Sequence, residues 1–390
     1  MTHSTYSLFA VVLFATPAFA QSGSPRELSM GGTAVASADY LSAGFSNPAL
    51  LTHYSDADDD DWGLMLPNAY VFASDRNNLL DAIDGFTQSF ENLEAGLNDF
   101  STTPEDLENL AASLNALNDK HFIAGAGFGI ALAIPSTSFS AAVVMSTFLE
   151  ANAFMNIDDG DSDLINNSFG NTEIPSLGSD AVLLASFRTE IGLAMAREFE
   201  LGGRTVSVGI TPKIQNLEIL DVVVSAEDSE DLDDQIDRDN RFADDNINFD
   251  LGASTMIHEN LRVGLAARNL MGGTFAGLSG LYDYKLDPTL TTGIAYTSGP
   301  LTLAADLDLT TTTRFQEIDS DDSQFLRLGA ELKWQWAQLR AGYILDLEDN
   351  YANMATAGIG FSPFGVMHFD LAGAVGENSY AGSLALSFTF

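Results

Sequence analysis

From Trp62 to Phe390 apolar side chains keep to one parity and small or polar ones to the other, segment after segment, which is the period of a β-strand with two unlike faces. The last segment is the cleanest. Tyr380, Gly382, Leu384, Leu386, Phe388 and Phe390 share one face, while Ala381, Ser383, Ala385, Ser387 and Thr389 share the other. Leu301, Leu303 and Leu307 stand likewise against Thr302, Asp306 and Asp308. Followed to the end, the pattern predicts fourteen strands, the first at 62–73 and the last at 379–390. An even number brings both ends of the sheet to one rim.

Connections discriminate further. Counted from the first strand, odd ones are mostly long (74–120, 156–179, 225–243, 271–288, 314–322), whereas even ones are tight, such as Gly202-Gly203, His258-Glu259 and Ser298-Gly299. Long loops on one rim and short turns on the other is how outer-membrane barrels are built. The expected fold is therefore an all-β, 14-stranded antiparallel transmembrane β-barrel over 62–390, in the outer membrane of a Gram-negative bacterium, its apolar face against membrane lipids. Loops 74–120, 156–179, 225–243 and 314–322 hold 27 acidic and five basic residues, more than half of the net charge of −39. By parity Arg188, Lys213, Arg262, Arg268, Arg327, Lys333 and Arg340 fall on the polar face, among Glu190, Asp250, Asp306, Asp308, Glu331, Asp346 and Asp370. Unpaired buried charge is costly, so these residues predict paired ladders in the lumen.

Composition removes other classes. A charge of −39 repels phosphate backbones, so no nucleic-acid partner is expected. Without cysteine there is neither disulfide nor zinc-thiolate chemistry. The histidines at 3, 53, 121, 258 and 368 have no metal spacing, and no Gly-x-Ser-x-Gly elbow has a supporting context. No enzyme activity, metal or cofactor is expected. Asp158-Asp159-Gly160-Asp161-Ser162-Asp163 offers Ca²⁺ its preferred oxygen ligands but lacks the EF-hand order, and reads as a solvated acidic loop. The apolar run Leu8 to Ala15, with Ala18-Phe19-Ala20 before Gln21, reads as a signal peptide over 1–20.

About eight strands already enclose all that side chains can fill, so fourteen need a plug. The candidate is the segment 21–61. Its small residues thread closely against a wall, Gly31-Gly32 permits a turn with positive φ, and Asn47-Pro48-Ala49 favours turn initiation. Inward Gly125, Gly127, Gly129, Ala131 and Ala133 leave it room.

Met30-Gly31-Gly32-Thr33-Ala34, then Asp39, then Asn47-Pro48-Ala49-Leu50, ahead of a large barrel ending in Phe390, resembles the FadL-type hydrophobic-compound transporters of the outer membrane. Within that group, Gly209-Ile210-Thr211-Pro212-Lys213 and the long helical first loop are most similar to the conjugal transfer TraF family, in its barrel form rather than the thioredoxin-like one. The resemblance implies a hatch inside a 14-strand barrel, an outer groove collecting apolar ligands, and sideways release at a strand kink. It implies passive, porin-like transport of small hydrophobic molecules; the alternative is a structural or accessory protein of a conjugal transfer or secretion apparatus. The ending Ser387-Phe388-Thr389-Phe390 resembles the signal read by the outer-membrane assembly machinery.

The residues bear on each expectation. In the first loop Leu79, Ile83, Phe86, Phe90, Leu93, Leu97 and Phe100 recur at helical spacing, and Leu107, Leu110, Leu114 and Leu117 repeat the pattern after Thr103-Pro104-Glu105. A helical hairpin is expected, with Ile83, Phe86, Phe90, Leu93, Leu97 and Phe100 either packed on the second helix or lining a ligand groove. Pro212 removes a ladder hydrogen bond within the fifth strand, so a break in pairing is expected at 212–218, as a bulge or a lateral gate.

Overall fold

The computed structural model describes residues 24–54, 61–136, 139–171, 173, 175–225, 242–277, 279–316, 318 and 321–390. The expected leader at 1–20, the acids at 56 and 58–60 and those at 227–239 lie outside the described residues.

Sixteen strands follow in chain order: β1 (Gly63–Ser74), β2 (His121–Ile134), β3 (Ser140–Asn156), β4 (Asp180–Leu201), β5 (Arg204–Ser225), β6 (Phe242–His258), β7 (Leu261–Arg268), β8 (Gly273–Phe275), β9 (Tyr284–Leu286), β10 (Thr289–Ser298), β11 (Leu301–Asp308), β12 (Phe325–Lys333), β13 (Ala337–Asp346), β14 (Met354–Phe361), β15 (Met367–Gly376) and β16 (Ser379–Thr389). Fourteen of them form a closed antiparallel barrel, sealed where β1 pairs with β16. The other two, β8 and β9, make a small hairpin inside the long 269–288 connection. At three residues each they are too short to show alternation, and that stretch reads as plain loop.

Parity sets the two faces. Val143, Leu193, Ile214, Leu265, Leu303, Leu339, Ile359 and Leu384 are all exposed on the outside, whereas Ser383, Ala385, Ser387 and Thr389 are buried inside. Trp62, Trp334, Trp336, Phe361 and Phe364 crowd the short-turn rim, with Trp62 stacked on Phe390 at 4.5 Å. An apolar belt edged by aromatic side chains is the surface a bilayer demands of a barrel. No helix among the described residues is long and apolar enough to cross a membrane.

Strand lengths are unequal. β7 and β10 to β15 have 8 to 10 residues, close to the span of a hydrocarbon core, but β3 to β6 have 17 to 22. One side of the long-loop rim therefore rises as a tall wall. Against it stand α3 (Leu79–Asp99) and α4 (Pro104–Asn115) of the first loop, preceded in the chain by α1 (Pro25–Ser29) and α2 (Ala43–Ser46) of the N-terminal segment and followed by α5 (Asp161–Asn166). Thr103 and Asp106 form a reciprocal capping box at the start of α4. The backbone amide and hydroxyl of Thr103 hold the Asp106 carboxyl below its ordinary value.

Candidate functional site

The N-terminal segment fills the bore. α1 and the one-turn helix Pro48–Thr52 are almost wholly buried, and Gly31 and Gly32 between them take φ of +67° and +81°. The wall makes room with glycine at matching heights. A Cβ on Gly209 would lie 2.4 Å from Pro48 C, and one on Gly342 2.2 Å from Gly31 N. Gly252, Gly264, Gly293, Gly329 and Gly358 face the plug in the same way, so a belt of inward glycines runs round β5 to β14, broken at β11, where the buried Ala304 stands opposite Gly329. Sequence reading caught the glycines of β2 but missed this belt, although its signal, glycine at an inward parity on successive strands, was present.

Two kinds of contact hold the plug. On one side they are polar. Arg26 pairs with Glu331 at 3.2 Å, Asp306 accepts from the Ala34 and Val35 amides at 2.7 and 2.9 Å, and Thr356 accepts from the Gly31 amide at 3.0 Å. Asn47 donates to the Val35 carbonyl at 2.7 Å and accepts from the Ala49 amide at 3.1 Å, closing the plug on itself. On the other side Tyr40, Leu41, Leu50 and Leu51, with Phe45 partly buried, pack on Met65, Ala131, Ala133, Val144 and Ala194 of β1 to β4.

The lumen bases are placed in charge ladders. Arg188 and Lys213 pair with Glu190 at 2.9 and 3.2 Å, and Lys213 also with Asp250 at 2.9 Å. Arg327 meets Asp308 at 2.7 Å and Arg340 meets Glu331 at 2.6 Å. Arg262 bonds His53 of the plug, Arg268 lies against Asp250 and Asp308, and Lys333 is exposed near the short-turn rim. These charges are not evenly spread. The four contiguous strands β16, β1, β2 and β3 carry no acid or base except His121 and Glu150. Their inner face carries Met65, Tyr70, Phe72, Ile123, Val144 and Phe148 among small residues, with Asn68, Glu150 and Asn152 as its larger polar members.

At the long-loop rim two loops latch across the bore. Arg314 meets Glu150 at 3.0 Å, Asp321 accepts from the Arg314 and Phe315 amides at 2.7 and 2.5 Å, and the Tyr351 hydroxyl donates to Asp321 at 3.2 Å. Burial opposes the Arg314 charge, but the carboxylates of Glu150 and Asp321 outweigh it and raise its pKa. Burial raises the Asp321 carboxyl although Arg314 pulls the other way. Replacing Arg314 by alanine leaves both carboxylates without their cation, at a cost of about 3–5 kcal/mol. Limited proteolysis of the variant is expected to cut the 309–324 and 347–353 loops several times faster than in the unaltered protein; an unchanged rate would show that the latch does not hold them.

The family model described as "F plasmid transfer operon, TraF, protein" matches residues 44–308. The chain belongs to the TraF family. Solved structures similar to this TraF-family chain include a TodX ΔS2S3 mutant, titled a monoaromatic hydrocarbon channel, which is 13% identical with a TM-score of 0.55 and is matched over 94% of this chain and 99% of its own. The Pseudomonas putida toluene transporter TodX is 12% identical with a TM-score of 0.53, over 95% and 99%. A Pseudomonas aeruginosa FadL homologue aligns over 97% and 99% at 11% identity and a TM-score of 0.49. The TodX matches show the fold of this TraF-family protein, a closed barrel of the TodX kind. No curated protein matches it significantly.

The structure bears on three expectations in the TraF-family barrel. The strand pairing does not break at 212–218. β5 keeps one register with β4 from Leu217 through Lys213 to Ile210, and Pro212 stays opposite Phe249 of β6. Only the β4 bridges at Thr211 and Pro212 are missing, because proline has no N–H to donate. The true irregularity is in β1, where both neighbours slip by one residue: Met65 faces Ser387 and Ala131, but Ala69 faces Leu384 and Asn68 faces Gly129. Leu66 and Pro67 occupy that bulge. Of the two alternatives for the helical hairpin, the structure has the packed one: Ile83 and Leu93 are buried, and Phe86, Phe90 and Leu97 pack with them on Leu107, Leu110 and Leu114 of α4. Phe100 points to solvent, 91% exposed. The acidic run at 158–163 is taken up by its own loop, since Asp161 accepts from the Gly178 and Ser179 amides at 2.8 Å each. Among the described residues no three His, Asp or Glu side chains are placed to hold a metal ion.

Proposed function

We propose that this protein is a passive outer-membrane channel for small uncharged hydrophobic compounds, which pass between the plug and the uncharged sector of the wall and leave sideways at the β1 bulge. The sector β16 to β2, without a carboxylate, lysine or arginine, carries the reading: a hydrophobe moving along it displaces no salt bridge among the described residues, whereas from β3 onward a path meets Glu150 with Arg314 and then the ladders. Plug contacts on that side are apolar and so are replaceable by an apolar ligand at little cost, while the polar anchors opposite keep the plug in place. The TodX structures of the same fold, titled for toluene and monoaromatic hydrocarbon, agree with this class of cargo.

The experiment is uptake of labelled toluene by a Gram-negative host stripped of its own hydrophobe channels, with and without this protein. A several-fold gain is expected; equal uptake would sink the proposal. A second reading, an accessory protein of a transfer apparatus, is favoured by the description of the matching family. It predicts no uptake and co-isolation with a transfer complex.

A further inference from the structure

We propose that the interior cavity between the plug and strands β7, β10, β11 and β12, which reaches Phe148 against Tyr70 of the apolar route, binds the hydroxyl end of a small uncharged aromatic compound whose body stays on that route, an inference that rests on the transport reading and narrows its cargo. The cavity holds about 800 Å³ of empty space, counting its open side. Four buried polar atoms on its lining have no hydrogen-bond partner among the described residues: Ser46 Oγ, Arg268 Nε, Thr289 Oγ1 and Asp306 Oδ1. Thr289 is 8% exposed and Asp306 2%. Asp306 spends its other oxygen on the Ala34 and Val35 amides, so Oδ1 is the one left over.

Buried donors and acceptors without partners are unfavourable, and what satisfies them must bring both capacities. A hydroxyl does, donating once and accepting up to twice. Its hydrogen suits Asp306 Oδ1, and its oxygen suits Arg268 Nε or the Thr289 hydroxyl. Charge decides against an ion. Arg268, Arg314 and Arg327 on the lining are matched by Glu27, Asp306 and Asp308, so neither an anion nor a cation finds an unbalanced counter-charge. Phe148 and Phe325 line the same space, each with a guanidinium over its ring, Arg188 at 5.3 Å and Arg327 at 5.0 Å. They supply the surface for an aromatic body. A bare hydrocarbon would leave all four polar atoms unsatisfied.

The test uses the full chain in nanodiscs, with p-cresol and toluene as probes and empty nanodiscs as reference. p-Cresol is expected to bind about fivefold more tightly than toluene, the ratio of one net hydrogen bond. Thr289→Val keeps the side-chain volume and removes a hydroxyl that bonds nothing among the described residues, so folding is expected to be preserved. In this variant p-cresol should weaken toward toluene while toluene is unchanged. Equal binding of the two probes, or a variant that shifts both alike, overturns the site while leaving toluene uptake by cells as the separate measure of transport. Failure of cells to take up either probe removes the transport reading and this site with it.

Discussion

Deleting Pro67 is expected to cut the uptake of toluene tenfold or more while the barrel still assembles; a barrier raised by about 1.4 kcal/mol suffices for that factor. The geometry makes deletion unusually clean. Gly63 and Met65 point inward, then Leu66 and Pro67 take up the space of a single residue, and Asn68, Tyr70 and Phe72 resume the inward face. Removing one residue joins the two halves in phase, so every inward side chain stays inward. The ladder with β16 and β2 can then close across Ala385, Leu386 and Ile130, which now lie outside the β1 pairing. What is lost is the one place in the barrel wall where both neighbours of a strand slip together. Heat-modifiable migration on a gel would report the closed barrel, and uptake would report the route. Normal uptake through a correctly assembled deletion variant would show that hydrophobes do not leave at this seam.

Pro67 and Pro212 explain how far the sequence could be read. Both are prolines inside strands; Pro212 draws the expectation of a break because it removes a ladder hydrogen bond, and the apolar parity also changes nearby, at Ile219. In the structure Leu217 and Ile219 are inward like Lys213 and Gln215; they are apolar because, above the charged bore, they pack beneath Phe275, Tyr284 and Phe315 of the covering loops. The change was in what lies inside, not in which residues face in. At Pro67 the parity does change, from Met65 to Asn68, but a three-residue irregularity in a twelve-residue strand is too brief to register against alternation. Strands were legible because lipid and plug impose opposite chemistry on every second residue. The helical hairpin was legible too, but periodicity gives only the face. Whether Ile83 and Leu93 meet a ligand or Leu110 and Leu114 is settled by the approach of α4, which no spacing encodes.

The second large effect concerns the plug. Gly342→Val is expected to expel the Met30–Gly32 turn and open the barrel to ions. The new Cβ would stand 2.2 Å from Gly31 N and 2.4 Å from Met30 C, both backbone atoms that no rotamer change can move. Gly31 lies flat on that same wall, its α-carbon against the Leu328 carbonyl beside Gly342, where a Cβ of its own would come within 2.4 Å, so the turn can relieve the clash only by lifting off the wall. Once the turn leaves, the Gly31 bond to Thr356 goes with it, and the Asp306 and Arg26 anchors are strained in turn. The barrel itself should survive, because its fourteen strands pair independently of the plug. Fourteen strands emptied of their filling enclose more space than side chains can occupy. Planar-bilayer recordings should therefore show conductance at least about tenfold above the unaltered protein, as expected for a water-filled rather than a plugged lumen. Gly382→Ala is the control: no atom outside its own turn of chain comes closer than 3.9 Å to the added Cβ, and no change is expected. A silent Gly342→Val with a protease-resistant N-terminal segment would mean that the plug is held without the glycine belt, by its hydrogen bonds and ion pairs alone.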